Sequence, residues 1–201
     1  MKILAFQGSP RKGGNTDLLL DAFLKGAQEA GVETEKIYLA KVRITPCLEC
    51  GQCDQTGICV IEDDMAWIYP KIEEADLIVI SSPVFFYNLT AYTQALIERA
   101  QACWVRRYIL KKPPPLEKER IGLLFSVGAT KGPRLFEGMI RVVRYFFEAI
   151  YARYEGGLFY RGMEKKGAIL EHPTALTQAF HLGKSINLPP AEWPVVRSLS
   201  P

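Results

Sequence analysis

The stretch Ile3-Leu4-Ala5-Phe6-Gln7-Gly8-Ser9-Pro10-Arg11-Lys12-Gly13-Gly14-Asn15-Thr16 decides how the fold is read. Its four apolar residues, Ile3 to Phe6, predict a buried strand that runs directly into a turn of small and polar residues. From about Thr16 to Ala30, Leu19, Leu20, Phe23 and Leu24 recur on one side of a predicted helix. The small residues let the backbone wrap an anion, and the helix N-terminus adds unpaired N–H groups and the positive end of its dipole. Ser9, Asn15 and Thr16 can donate hydrogen bonds, and Arg11 offers a bidentate phosphate partner. The turn lacks the Gly-Lys-Ser/Thr of a Walker A loop and is not a Gly-x-Gly-x-x-Gly dinucleotide turn. The plain alternative is a polar, glycine-rich turn with a helix cap.

Outward from this unit, short apolar runs alternate with longer helical stretches. Strands are predicted at Glu33 to Leu39, Asp76 to Ser82, Arg120 to Val127 and Tyr154 to Tyr160. Helices are predicted from near Asp63-Asp64, from Thr90 to about Arg106, from Phe136 to Tyr151 and from Pro173 to Ser185. Pro70 should kink the helix that contains it or mark a late start. Such alternation implies a parallel sheet covered on both faces. The fold class is therefore α/β, a flavodoxin-like, doubly wound, five-stranded parallel sheet in one domain over residues 1–186. A cysteine loop at 46–60 is inserted in it, and a proline-rich tail at 187–201 is expected to pack as an arm or stay mobile.

With 201 residues, 48% of them apolar, the chain can bury a full core. A formal charge of +3 and no basic stripe with interleaved aromatics predict no nucleic-acid partner. The uncharged run Leu77 to Ile97 is long enough for a membrane span. Its Ser81, Ser82, Pro83, Asn88, Thr90, Thr93 and Gln94 favour strand, loop and helix instead. No secretory leader is read at the start, so a soluble, cytoplasmic protein is expected, where thiols stay reduced and clustered cysteines bind metal.

Four of the five cysteines, Cys47, Cys50, Cys53 and Cys59, lie within thirteen residues. Thiols three apart, with a fourth after five more, can converge on one inorganic centre, and four thiolates are the usual ligand set of an iron–sulfur cluster. A zinc site and a loop without metal are the competing readings; structural zinc more often uses two cysteine pairs with a long spacer. Cys103 reads as a packed small hydrophobe, His172 and His181 as non-ligands, and Trp67, Trp104 and Trp193 as core or interface residues.

Two more loops follow predicted strands. Ser82-Pro83-Val84-Phe85-Phe86-Tyr87-Asn88 could flank a flat ring, and Ser126-Val127-Gly128-Ala129-Thr130-Lys131-Gly132 offers backbone donors and a cation. With the Gly-Ser-Pro-Arg…Gly-Asn-Thr opening, the cysteine loop running into Val60-Ile61-Glu62-Asp63-Asp64-Met65, and Ala95-Leu96-Ile97-Glu98-Arg99, the chain resembles the NADPH-dependent FMN reductase superfamily over residues 1 to about 170. More closely it resembles that superfamily's iron–sulfur flavoprotein branch. The resemblance implies that Ser9, Arg11, Asn15 and Thr16 hold FMN phosphate. Pro83, Val84, Phe85, Tyr87 and Asn88 would line the isoalloxazine, and Ser126, Gly128, Ala129 and Thr130 would close the site. It implies a [4Fe-4S] cluster on Cys47, Cys50, Cys53 and Cys59, although related reductases can keep such a loop without a cluster. The chain departs from the family at Phe85, often Tyr there, at Tyr87-Asn88, often Gly-Ser, and at Thr93-Gln94, often Leu-Lys.

By this resemblance the chain is an FMN-dependent oxidoreductase passing electrons between a ferredoxin-like one-electron carrier and an acceptor, with no catalytic acid, base or nucleophile. The alternative is an NAD(P)H-dependent FMN or quinone reductase without an occupied cluster; a non-catalytic redox sensor would hold no stoichiometric flavin. If the strand order is 2-1-3-4-5, cluster and ring in one subunit stand roughly 10–15 Å apart. A homodimer or homotetramer passing electrons across its interface is then expected.

Overall fold

Short strands that are apolar on both sides can only lie inside a sheet covered twice. The computed structural model, which describes residues 1–194, places such strands inside one all-parallel sheet of five, with the more polar Glu33–Tyr38 at an edge. β1 (Lys2–Gln7), β2 (Glu33–Tyr38), β3 (Leu77–Ser81), β4 (Arg120–Val127) and β5 (Ala152–Tyr160) run in the order β2-β1-β3-β4-β5. Ile3 pairs with Thr34 on one side and Leu77 on the other, and Leu77 pairs in turn with Ile121. This is the flavodoxin-like order, with its switch point between β1 and β3.

Alternation along the strands divides the core. Ile3, Ala5, Leu77 and Val79 pack with Leu20 and Phe23 of α1 (Asn15–Glu29) and Leu182 of α6 (Ala175–Lys184). Leu4, Phe6, Ile78 and Ile80 face the other way, toward Ile68 and Ile72 of α2 (Met65–Glu74), Leu96 of α3 (Ala91–Arg99) and Phe147 of α5 (Glu137–Ala149). Helices α1 and α6 approach so closely that a Cβ on Gly26 would strike the Phe180 carbonyl, and one on Gly183 that of Phe23.

Pro70 lies inside α2, which begins at Met65, so the late start is not what occurs. The helix expected from Thr90 to Arg106 is interrupted at Ala100, resumes as α4 (Gln101–Trp104) and widens into a π turn over Val105–Ile109. The wide turn sets Arg106 on Glu73 of α2 and on the Cys103 sulfur. Arg120, at the head of β4, is buried and donates to the carbonyls of Ile72, Ala75 and Ile150, where α2 and α5 end. A cation there meets the negative ends of two helices. Of the expected tail, Trp193 packs into the α1–α6 side of the core and donates to the Leu188 carbonyl; residues 195–201 lie outside the described ones. Among the described residues no helix is long and apolar enough to cross a membrane.

Candidate functional site

Two side chains outside the glycine-rich turn shape it. Gln7, the buried last residue of β1, accepts from the Ser9 N–H at 3.0 Å and the Thr16 hydroxyl at 3.5 Å, and donates to Asp17 at 3.1 Å. Asp17 accepts the Gly13 N–H at 2.7 Å and pairs with Lys36. Burial alone would raise the Asp17 pKa, but the bonds from Lys36, the Gly13 N–H and Gln7 outweigh it and hold the carboxyl below its usual range. The Ser9 hydroxyl accepts the Arg11 N–H at 3.1 Å. The turn is thus tied from beneath, while the head of α1 is left open. No side chain caps it at Gly14, and among the described residues the N–H groups of Asn15, Thr16 and Asp17 find no acceptor.

Asn15 and Thr16 border a crevice of about 130 Å³ that gathers the three expected loops. Ser9, Arg11, Asn15 and Thr16 line it from the first, Pro83, Val84 and Phe85 from the second, and Ala129 from the third. That volume takes a phosphoryl group rather than a tricyclic ring. Within the lining, the Asn15 side chain is committed elsewhere: it donates to the carbonyls of Met163 and Lys165 and accepts from the Ile169 N–H. It therefore holds the segment after β5, which brings Met163, Glu164 and Lys166 to the crevice. Sequence reading missed them. Their signal is a charged run between Gly162 and Gly167 at the carboxyl end of the fifth strand.

Tyr87, Asn88, Ser126, Gly128 and Thr130 do not line the crevice. Ser126 is buried and donates to the Ser82 carbonyl at 2.8 Å, fixing the second loop to the third. The Gly128 N–H donates to the Tyr160 carbonyl at 2.9 Å. Phe85 and Asn88 exchange backbone hydrogen bonds at 2.8 and 2.9 Å across a two-residue turn, and both central residues are left-handed, Phe86 at φ 50° and Tyr87 at φ 60°. Phe86 is wholly exposed, so a solvent-facing aromatic edge adjoins the phosphate-sized crevice.

All four clustered cysteines line a second cavity of about 590 Å³, together with Glu98, Arg99, Gln101 and Ala102. Their thiols are free, and among the described residues no group of three or more His, Cys, Asp or Glu stands close enough to hold a metal ion. The fold supplies a shared chamber, not a closed ligand set. Burial, then Asp54, Cys59 and Cys47, push the Cys53 thiol up. The loop is anchored at its base: the Asp63 carboxylate accepts the N–H groups of Thr45 and Met65 at 2.8 and 3.0 Å, and Arg99 reaches Asp63 and the carbonyls of Thr45 and Ile61. Gly57, at φ 72°, packs under Arg106, where a Cβ would strike that side chain. Cys103 is buried and accepts a bond from Arg106 at 3.1 Å. His172 accepts the N–H groups of Thr174 and Ala175 at the head of α6.

The donor chemistry fits both expected groups. An open helix head with a cation beside it suits a phosphate monoester. A chamber lined by four thiols and a buried arginine whose Nε–H has no partner suits an anionic sulfur centre.

Comparison with known proteins agrees. The family model described as NADPH-dependent FMN reductase matches residues 1–153. An iron–sulfur flavoprotein of Methanosarcina thermophila is 36% identical over 131 residues, 65% of this chain and 65% of that protein. One from Methanocaldococcus jannaschii is 42% identical over 131 residues, 65% and 64% of the two chains. The chain thus spans less than two thirds of the length of these relatives. Among solved structures, an NAD(P)H:quinone oxidoreductase from Methanothermobacter marburgensis superposes with a TM-score of 0.68 at 17% identity, over 92% of this chain and 94% of that one. A flavone reductase superposes with a TM-score of 0.67 at 19% identity, over 98% and 65%. At those identities the likeness is one of fold. The length of the family match and the flavodoxin-like strand order together show that the chain belongs to the NADPH-dependent FMN reductase family, on the branch whose curated members are named iron–sulfur flavoproteins.

Proposed function

We propose that this protein is a flavin-dependent oxidoreductase that holds FMN at the head of α1 and a [4Fe-4S] cluster among Cys47, Cys50, Cys53 and Cys59. The observation that carries the reading is a four-thiol chamber in a chain whose first helix presents unpaired amides beside Arg11 and Lys166. When bound, FMN can exchange one or two electrons and the cluster one, which suits a link between a ferredoxin-like carrier and a two-electron acceptor. The residues bind and tune. The amides of Asn15 and Thr16 and the Arg11 guanidinium hold the phosphate, Gln7 and Asp17 keep the turn in shape, and Val84 and Phe85 form an apolar wall. No side chain is asked to move a proton.

The crevice and the chamber share no lining residue. This supports passage of electrons between copies in a homodimer or homotetramer, and sedimentation of the loaded protein tests it: a monomer that still equilibrates both centres rapidly overturns the assembly. A second reading, an NAD(P)H-dependent FMN or quinone reductase with an empty loop, is favoured by the absence of a closed ligand group among the described residues. Anaerobic reduction of bound FMN by NADPH in wild type and Cys50→Ala separates the two. Equal, fast bleaching supports the second reading; bleaching that needs reduced ferredoxin and fails in Cys50→Ala supports the first.

A further inference from the structure

Arg99, the last residue of α3, is among the largest fully buried side chains, only 1% exposed. Its two terminal nitrogens are engaged at the stems of the cysteine loop. Nη1 donates to Asp63 at 2.5 Å and to the Thr45 carbonyl at 2.9 Å, and Nη2 donates to the Ile61 carbonyl at 3.3 Å. The Nε–H is buried with no acceptor. Buried donors left unmade are costly and few in native proteins, so each points to a missing partner. Arg99 also lines the chamber into which the four cysteines open. The acceptor it lacks and the anionic sulfur centre that the chamber suits answer one another.

We infer that the Arg99 Nε–H donates to a sulfur of the cluster, making Arg99 a positioning residue that sets the cluster's reduction potential. The inference rests on the cluster reading above. A donor aimed at sulfur stabilises the more negative, reduced cluster more than the oxidised one, and so raises the potential. Asp63 accepts from Nη1 and leaves Nε–H free, so the same guanidinium closes the loop and serves the sulfur. Lysine at this position keeps the charge beside Asp63 but has no second, sideways donor.

The test uses the full, anaerobically loaded protein with arginine labelled with nitrogen-15 at Nε and the cluster reduced by titanium(III) citrate. Pulsed electron paramagnetic resonance then reads nitrogen-15 hyperfine coupling to the cluster. The expected result is a coupling in wild type that disappears in Arg99→Lys, together with at least a tenfold loss in the one-electron reduction equilibrium, about 59 mV. If Arg99→Lys does not fold, Arg106→Lys assigns the signal, because Arg106 lines the neighbouring cavity with Cys59. Coupling that persists in Arg106→Lys supports Arg99, and coupling that vanishes there overturns it. A cluster signal without nitrogen-15 coupling in wild type overturns the inference alone. No cluster signal, with iron near zero, overturns the cluster reading and the inference with it.

Discussion

Asp63, just past the cysteine loop, and Arg99, the last residue of α3, form a buried ion pair at 2.5 Å. The pair binds backbone on both stems, Thr45 before Cys47 and Ile61 after Cys59. A long loop without strand or α-helix of its own is thus anchored at its base by this pair, while Gly57 packs under Arg106 and Lys112 donates to the Thr56 carbonyl farther along. Removing one partner of such a pair leaves an uncompensated buried charge, at a cost of about 3–5 kcal/mol. Arg99→Met should therefore lower unfolding free energy by about that amount, and adding Asp63→Asn should restore part of it. Urea denaturation of the single and double variants measures both.

Acid should act through two carboxylates. Asp17 and Asp63 are desolvated, which alone would raise their pKa values, but Lys36 and the Gly13 N–H for one, and Arg99 with the Thr45 and Met65 N–H groups for the other, lower them. A carboxylate with a depressed folded pKa adds stability that is full above the ordinary carboxylate range and disappears as pH falls through the folded value. The midpoint of urea unfolding should be flat near neutrality and fall steeply below about pH 4. In Asp17→Asn and Asp63→Asn the neutral protein should be weaker and the acid slope shallower; an unchanged slope in both contradicts the assignment.

Arg11 and Asn15 should separate by measurement. Arg11 is exposed and no bond engages its guanidinium among the described residues, so Arg11→Gln should leave the melting temperature unchanged. Loss of a charge-assisted phosphate contact, roughly 1.5–3 kcal/mol, should weaken FMN about 10- to 150-fold in a fluorescence-quenching titration. Asn15→Ala releases the segment at Met163, Lys165 and Ile169, and should lower both affinity and melting temperature.

Phe86 should be replaceable at a gain. Its left-handed backbone costs a non-glycine residue about 1–2 kcal/mol, and its fully exposed ring has no packing to lose. Asn tolerates that conformation, so Phe86→Asn should stabilise the protein by about 1 kcal/mol, a rise of roughly 2–4 °C. Scanning calorimetry of the FMN-free protein checks this; a lower melting temperature means that the ring has a partner in solution.

The hydrophobic pattern located all five strands: continuous apolar runs such as Ile3 to Phe6 and Leu77 to Ile80 need cover on both sheet faces, and the alternating Glu33 to Tyr38 fits an edge. The strand order entered only as a condition, since periodicity does not encode which edge a strand joins; the structure supplies it as β2-β1-β3-β4-β5. The glycine-rich turn was legible as a unit because Gly8 to Thr16 is one contiguous stretch between a strand and a helix. What was hidden depends on distant partners: Asn15 looks like a phosphate donor until the segment from Met163 to Ile169 is seen to need it. Ser126 looks like a site residue until the Ser82 carbonyl takes its hydroxyl. Gln7 and Asp17 do their shaping from a strand end and the first turn of α1, where sequence offers only a polar residue and an acidic helix start. Arg99 was quoted within a motif, yet its task emerges only when the loop stems close around it.

The most direct test is the content of FMN, iron and inorganic sulfide per chain after anaerobic purification. About one FMN, about four irons and about four sulfides are expected, with broad visible absorbance over the flavin bands. A chain that carries a full FMN but iron near zero would contradict the cluster reading.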